Sequence, residues 1–497
     1  MAELNWTGKY DESGNLSLPD RTVYLLKLTE KFFNFSPEDL SSEAQLASEK
    51  EEWSNSIIKG DCCQVLSSLM PQFGGQIDLI YLDPPFFTQS NFKTSSKLTK
   101  SHRADALEIN PDIDLPSTFE LDAYSDRWVN GLDSYLQWLF ETLTLLRDLL
   151  SEKGSIYLHL DWHASHYAKA IMDEIFGTQN FQNDIAWCYR EAINSSKRWN
   201  RKHDSILFYS KDIDKFYFNP TEVLQPHSPV TLKKYKHQDE KGKYRLMGRG
   251  IVGSPIESAR DVSTDWEQKR PELVYRHYLR EGTYPVDYWN IDIINQAAYE
   301  RTGYPTQKPI ALLERIIRAS SKPGDLVLDC CCGSGTTAVA SEMLGRRWIA
   351  VDSGAAAILM AKKRLCSLGE ISSFNSLEID GLPEDCKESI GAQLNVGFER
   401  NANRVIVKLQ GYERSREALP DVLKNSINHW NQWIVTWAVD WDYDGEVFVN
   451  RTRFYRDKKV KNLICECSHS YDNGYLRTIM VKAEDILGHQ SSCTFTV

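Results

Sequence analysis

The sequence predicts an α/β fold built on a doubly wound, mostly parallel sheet, followed by a small C-terminal β-sandwich domain. Three observations carry this expectation. Short apolar runs such as Ile77–Leu82 and Leu326–Leu328 are bounded by turn residues, the pattern of strands covered on both faces. Segments of helical period alternate with them. Beyond about residue 390 the helices stop, and short strands separated by turns take over.

In chain order, residues 1–55 are expected as an N-terminal extension packed on the core, with one short strand at Thr22–Leu28. The main domain, 56–390, opens with Ile57-Ile58, then Gly60-Asp61 and a helix carrying Val65, Leu66, Leu69 and Met70. Ile77–Leu82 follows as a buried strand. Phe92–Asp122 is rich in Ser, Thr and Asp and is expected as a surface loop. A helix starting near Asp133 presents Leu136, Leu139, Phe140, Leu143, Leu146 and Leu150 on one face. Gly154–Leu160 is the next strand, His163–Phe176 the next helix, and Asp184–Tyr189 and Ser205–Tyr209 two further strands. Periodicity fades between about 190 and 300, an insertion within the domain. It returns with a helix through Leu312, Leu313, Ile316 and Ile317, a strand Asp325–Asp329, a glycine turn, a helix Thr336–Leu344 and a strand Trp348–Asp352. Residues 391–497 form a separate β-rich domain with strands at Val405–Leu409, Gln432–Val439 and Arg477–Val481, expected as an immunoglobulin-like sandwich.

A chain of 497 residues with 41% hydrophobic and 26% charged residues is that of a multi-domain globular protein, not a disordered one. No apolar run approaches the roughly 20 residues a membrane helix needs. The first residues lack the basic-then-apolar pattern of a signal peptide, so a cytoplasmic location is expected. The 11 cysteines show no zinc spacing and are expected as reduced thiols. Cys330-Cys331-Cys332 lie on one tight turn, where three consecutive sulfurs do not converge on one ion, so no metal is expected. The net charge is -11, but Arg190–Gly250 holds 14 Lys or Arg against 7 Asp or Glu, a local surplus of +7. Phosphate affinity follows the local field.

Two motifs carry chemistry. Asp83-Pro84-Pro85-Phe86 stands directly after the strand ending at Leu82, at the carboxyl end where α/β sheets place their sites. The prolines fix the backbone and remove donors. The amine of a nucleobase is a poor nucleophile because its lone pair is delocalised. Asp83 and the Pro84 carbonyl can accept both its hydrogens, and Phe86 can stack on an extruded base. The second motif, Asp329 through Cys331 to Gly333-Ser334-Gly335-Thr336, is a strand-to-helix turn whose small residues let backbone approach a ligand. It lacks the lysine of a phosphate loop and the G-x-G-x-x-G of a dinucleotide site. Asp352 ends the next strand, where the acidic ribose ligand of such folds stands.

With Tyr304-Pro305-Thr306-Gln307-Lys308-Pro309 ahead of the glycine turn, these motifs resemble the β (permuted) group of amino-DNA methyltransferases, the N-4/N-6 DNA methylase family, over roughly residues 56–365. The motif order matches as well: the proline motif first, then the basic insertion at about 190–300, which the resemblance implies is the target-recognition region, and the glycine turn last. The resemblance implies a Rossmann-like methyltransferase fold with S-adenosylmethionine as cofactor and double-stranded DNA as substrate. It implies that Asp61 contacts the cofactor adenine and that Thr306, Lys308 and Pro309 border its methionine end. It gives the segment with Arg198, Trp199, Arg201, Lys202 and His203 to DNA, an assignment resting on composition and position. One departure stands out: the family carries phenylalanine two residues before the first glycine, where this chain has Cys331.

The activity implied is site-specific methylation of adenine N6 by direct in-line transfer, the enzyme supplying positioning and electrostatics. No Pro-Cys nucleophile of the cytosine-C5 type is present. Cytosine N4 is the alternative target, and a non-catalytic DNA-binding subunit of a modification complex is the alternative of a different class. A homodimer and a restriction subunit remain open as partners, with no membrane partner expected.

Overall fold

The computed structural model describes residues 3–33, 53–97, 118–190, 195–369, 371–380, 392–401, 403–414, 427, 429–456, 463–471 and 476–497. The chain enters through β1 (Leu26–Phe32), β2 (Asn55–Lys59), α1 (Cys62–Phe73) and β3 (Ile77–Leu82). A hairpin of β4 (Asn91–Lys97) and β5 (Thr118–Ser125) precedes α2 (Leu132–Leu149) and β6 (Leu150–Leu160). Next come α3 (Ser165–Phe176), β7 (Phe181–Cys188) and β8 (His203–Ser210). The region expected as one surface loop is thus paired at both ends. Its middle, 98–117, lies outside the described residues.

Residues 218–287 form a compact unit of their own. It contains α4 (Pro229–Leu232), β9 (His237–Asp239), β10 (Gly242–Gly248), α5 (Thr264–Lys269) and β11 (Val274–Tyr278). The three strands make an antiparallel sheet in the order β11-β10-β9, over a small core of Ile256, Leu273 and Val274. The fading periodicity between 190 and 300 corresponds in part to this unit.

The rest of the chain is the second unit. It resumes with β12 (Tyr288–Asn290), α6 (Ile310–Ser320), β13 (Leu326–Asp329), α7 (Thr336–Met343), β14 (Arg347–Asp352), α8 (Ala355–Cys366) and β15 (Phe374–Ile379). It ends with β16 (Ala392–Asn401), β17 (Arg404–Arg414), β18 (Ile434–Asp440), β19 (Phe448–Asn450), β20 (Thr452–Tyr455), β21 (Glu466–Ser470), β22 (Thr478–Asp485) and β23 (Gln490–Thr496).

The main sheet has 11 strands in the order β12-β7-β8-β6-β3-β13-β14-β2-β15-β1-β19. Its pairs are parallel except at β6–β8, β7–β8 and β1–β15. Every residue of β3 and of β13 is buried, which is why both read as mostly apolar runs, each carrying one buried aspartate. Leu136, Leu139, Leu143 and Leu146 of α2 pack into the core on this sheet. From β3 the chain moves to β6 on one side; from β13 it moves to β14 on the other. The adjacent strands β3 and β13 therefore form a switch point, where doubly wound sheets open a crevice at their carboxyl ends.

Near the N-terminus Trp6 is buried and its indole donates to Gln137 (2.9 Å), and Lys9 pairs with Glu174 (2.7 Å). The first strand is Leu26–Phe32, a few residues later than the apolar run indicated, because pairing with β15 sets the boundary.

At the C-terminus, two antiparallel sheets, β16-β17-β21 and β20-β18-β22-β23, share one core that includes Val407, Trp437, Val439 and Val481. Residues 391–497, expected as a separate domain, lie in the same compact unit as the main sheet. Two features join them. β19 extends the main sheet beside β1, and buried Glu30 of β1 pairs with Lys482 of β22 (2.8 Å) and Lys362 of α8 (3.5 Å).

Candidate active site

Asp83 leaves the end of β3 half-buried, and its carboxylate is gripped by Lys308, whose Nζ lies 2.6 and 2.8 Å from the two oxygens. Lys308 also donates to the Thr306 carbonyl (3.3 Å), and Thr306 itself adopts φ 56°. The Tyr135 hydroxyl donates to the Pro85 carbonyl (2.9 Å), so a helix of the core holds the proline turn in place. The Phe86 ring stands 5.1 Å from the Lys308 ammonium and 5.7 Å from the His159 ring.

Below this turn lies a buried polar chain. His159, on β6, has no exposure and meets the Tyr81 hydroxyl at Nδ1 (2.7 Å) and Asp204 at Nε2 (3.3 Å). Burial pushes the Asp204 carboxyl up, but hydrogen bonds from His159 and Tyr189 and the charge of Lys308 outweigh it and hold it below the usual range. His159 is thereby a satisfied core residue. His163 pairs with Asp161 (2.8 Å). Among the described residues no histidine joins a group with metal-ligand spacing.

The neighbouring strand β13 delivers the glycine turn. Gly333 and Gly335 have φ of 50° and 74°, the left-handed region that glycine enters without penalty. A Cβ on Gly335 would meet that of Ala361 at 2.6 Å, so this glycine also lets α7 pack on α8. Asp329 accepts from the Cys331 amide (3.1 Å) and from the Thr337 hydroxyl; buried, its carboxyl is pushed well up. Asp352 ends β14 and accepts from the amides of Gly333 (2.9 Å) and Gly354 (2.8 Å). Burial raises it to about 6 despite these bonds. Arg364 of α8 reaches under the turn to the Ser334 carbonyl (2.9 Å) and the Thr336 hydroxyl (2.8 Å).

One cavity of about 380 Å³ gathers Asp83, Pro84, Pro85, Phe86, Asp61, Thr306, Lys308, Asp329, Cys331, Gly333, Ser334, Thr336 and Asp352 in its walls, a size suited to a small-molecule cofactor. Asp61 stands at its rim and caps α1 through the Gln64 amide (3.1 Å). Pro309 and Gly335 do not line the cavity: the first precedes α6 and the second α7. Both shape the backbone next to it.

Arg198, Trp199, Arg201, Lys202 and His203 also stand apart from the cavity. They lead into β8, which runs antiparallel to β6 with Ser205 opposite Leu160. That register puts them at the same carboxyl edge of the sheet as Asp83. Trp199 is 95% exposed, and Arg201 stacks on Trp162 at 3.4 Å.

Several site residues escaped the sequence. Tyr124 of β5 lines the cavity, stacks on Phe92 of β4 (4.7 Å between rings) and approaches the Thr306 hydroxyl (3.4 Å). Asp126, fully buried, accepts from the amides of Phe87 (3.2 Å) and Thr88 (2.6 Å) and from the Trp128 indole (2.9 Å). It holds Phe87 at φ 63°. The single available signal was aromatic residues in a stretch otherwise polar.

The DNA methylase family model matches residues 77–363. The type II methyltransferase M.EcaI of Enterobacter cloacae is 29% identical over 73% of this chain and 77% of its own. The DNA adenine methyltransferase YhdJ of Escherichia coli K12 is 25% identical over 65% of this chain and 85% of its own. The Mod subunit of the type III restriction-modification enzyme StyLTI of Salmonella typhimurium is 26% identical over 67% of this chain and 55% of its own. Among solved structures, the M1.HpyAVI–SAM complex is 19% identical over 62% of this chain and 98% of its own, with a TM-score of 0.35. The family match runs from the strand that presents Asp83 to the helix behind the glycine turn, and the chain belongs to the DNA methylase family, the N-4/N-6 DNA methyltransferases.

Proposed function

We propose that this protein methylates adenine N6 in double-stranded DNA with S-adenosylmethionine as the methyl donor, as a permuted, β-group member of its family. The observation that carries this reading is the shared cavity. It holds the Asp83 turn at the end of β3 and the glycine turn at the end of β13 in one space. The carboxylates of Asp61, Asp83 and Asp352 on its walls suit a cationic sulfonium ligand. S-adenosylmethionine supplies an activated methyl group when bound.

The chain's own residues do the rest. Lys308 grips both oxygens of the Asp83 carboxylate and so fixes its orientation. Asp83 accepts a hydrogen from the target amine and so directs nitrogen electron density toward the donor side. Phe86 offers a face to the extruded base, offsetting part of the few kcal/mol that extrusion costs. Asp352 has lone pairs beyond those engaged by Gly333 and Gly354 for the ribose hydroxyls of the cofactor. Arg198, Arg201 and Lys202 supply phosphate contacts, and residues 218–287 the recognition surface for the target sequence. The likeness to a Mod subunit supports a restriction subunit as partner.

Nucleoside analysis of unmethylated genomic DNA after incubation with the protein and labelled S-adenosylmethionine tests this. N6-methyladenine is expected. N4-methylcytosine would move the target to cytosine, and label in neither base would overturn the reading.

A further inference from the structure

Three thiols converge at the wall of the cavity. The sulfurs of Cys62, Cys330 and Cys331 all lie within 4.8 Å of one another. They come from separate parts of the chain: Cys62 is the first residue of α1, and Cys330 and Cys331 follow β13. Cys332 also lines the cavity but joins the apolar cluster with Val339 and Trp348 and lies outside this sulfur group. The sequence suggested the trio Cys330-Cys331-Cys332; in the structure α1 brings a different third sulfur. Cys62 and Cys330 are buried, Cys331 is partly exposed, and all three face the cavity as free thiols.

Buried cysteines often serve as small apolar filler. Packing alone, however, has no need for three sulfurs at one point. We propose that Cys62, Cys330 and Cys331 form a three-thiolate site for a thiophilic divalent cation of the zinc or cadmium kind, and that its occupation opposes cofactor binding.

The geometry supports the site. Metal–sulfur bonds of about 2.3 Å separate the sulfurs of a trigonal or tetrahedral centre by about 4 Å, within reach of small side-chain rotations here. Soft thiolates select soft and borderline ions over magnesium or calcium. Starting from three thiols, three metal–sulfur bonds form, three protons leave to solvent, and the complex carries one negative charge. Cys331 is the member open to the cavity, so the remaining coordination position faces the space that the proposed function gives to S-adenosylmethionine. The antagonism rests on that reading; the ion site itself does not.

The test is a titration of the purified full-length protein with cadmium chloride, read by sulfur-to-metal charge-transfer absorption and by equilibrium dialysis. One ion per chain with the absorption of three thiolates is expected. Cys62→Ser and Cys331→Ser should each weaken binding at least tenfold, and Cys188→Ser, remote from the cluster, should not change it. Cys331 is partly exposed, so its serine variant gives a folded test even where Cys62→Ser does not. Stoichiometric binding that survives Cys331→Ser, or an absorption of one thiolate, would overturn the site. Adding S-adenosylmethionine should lower cadmium affinity in proportion to its concentration. Independent binding of the two overturns the antagonism. Cysteine-dependent cadmium binding without any affinity for S-adenosylmethionine would leave the ion site standing and sink the cofactor reading.

Discussion

At the scale of single residues, two carboxylates of the cavity, Asp83 and Asp352, are set up for different work by their partners. Asp83 is paired with a lysine, whereas Asp352 accepts from the backbone amides of Gly333 and Gly354 and is raised to about 6 by burial. Asp83→Ala removes the acceptor for the amine, and turnover should fall by about 10²–10⁴-fold while cofactor affinity changes little; single-turnover kinetics beside calorimetry separate the two. For Asp352 the sign follows from its raised value. The ionised form, which accepts from ribose hydroxyls, dominates above pH about 6, so cofactor affinity should fall as the pH drops from 7 to 5. The fold itself responds in the opposite sense. A carboxyl whose folded value exceeds its unfolded one contributes most below the unfolded value, and that contribution is lost as pH rises through about 6. Asp352→Asn should flatten the pH dependence of affinity measured by calorimetry.

At the scale of elements, the β13–α7 turn is the most constrained piece of the site. Gly335 combines a left-handed φ of 74° with a hypothetical Cβ 2.6 Å from Ala361. Gly335→Ala should cost about 1–2 kcal/mol for the backbone conformation alone, with overpacking against α8 adding to it. A lower midpoint in thermal unfolding, together with weaker cofactor binding, is the expected result; an unchanged midpoint would mean that α8 yields freely. The two motifs were legible because each stands at the end of a buried strand, where apolar run and turn residues meet sharply. The β4–β5 hairpin was not, because its segments carry Ser, Thr and Lys with little apolar alternation in the sequence. Its pairing depends on a partner strand about 27 residues away, which local pattern does not reveal.

At the scale of the whole molecule, electrostatics links distant parts of the chain. Lys362 lies between Glu30 (3.5 Å) and Glu484 (3.7 Å), all three buried. Lys362→Met leaves two carboxylates sharing one remaining lysine and should destabilise the protein by about 3–5 kcal/mol, measurable by urea unfolding. A near-neutral result would show that the C-terminal sheets are held by their apolar packing instead. On the outer surface, DNA affinity should fall linearly in log–log form with salt. Replacing Arg198, Arg201 and Lys202 together by alanine should make that slope shallower by up to about 3, read by anisotropy with a labelled duplex. An unchanged slope would remove this loop from the interface.

The sequence by itself determined the alternation of strands and helices, the two chemical motifs and their order along the chain. These are local properties, since burial on both faces, fixed backbone angles and small residues at turns all act within a few residues. Only the tertiary structure decided that the ends of β3 and β13 are neighbours, that Lys308 grips Asp83 from 225 residues away, and that Tyr124 and Arg364 complete the site. It also decided that Cys62, and not Cys332, joins Cys330 and Cys331. Likewise the region after 390 donates a strand to the main sheet and its lysine to a buried charge cluster, while 218–287 stands as the separate unit. Strand order and long-range ion pairing depend on which surfaces exclude water together. That is a property of the packed chain and not of any segment within it.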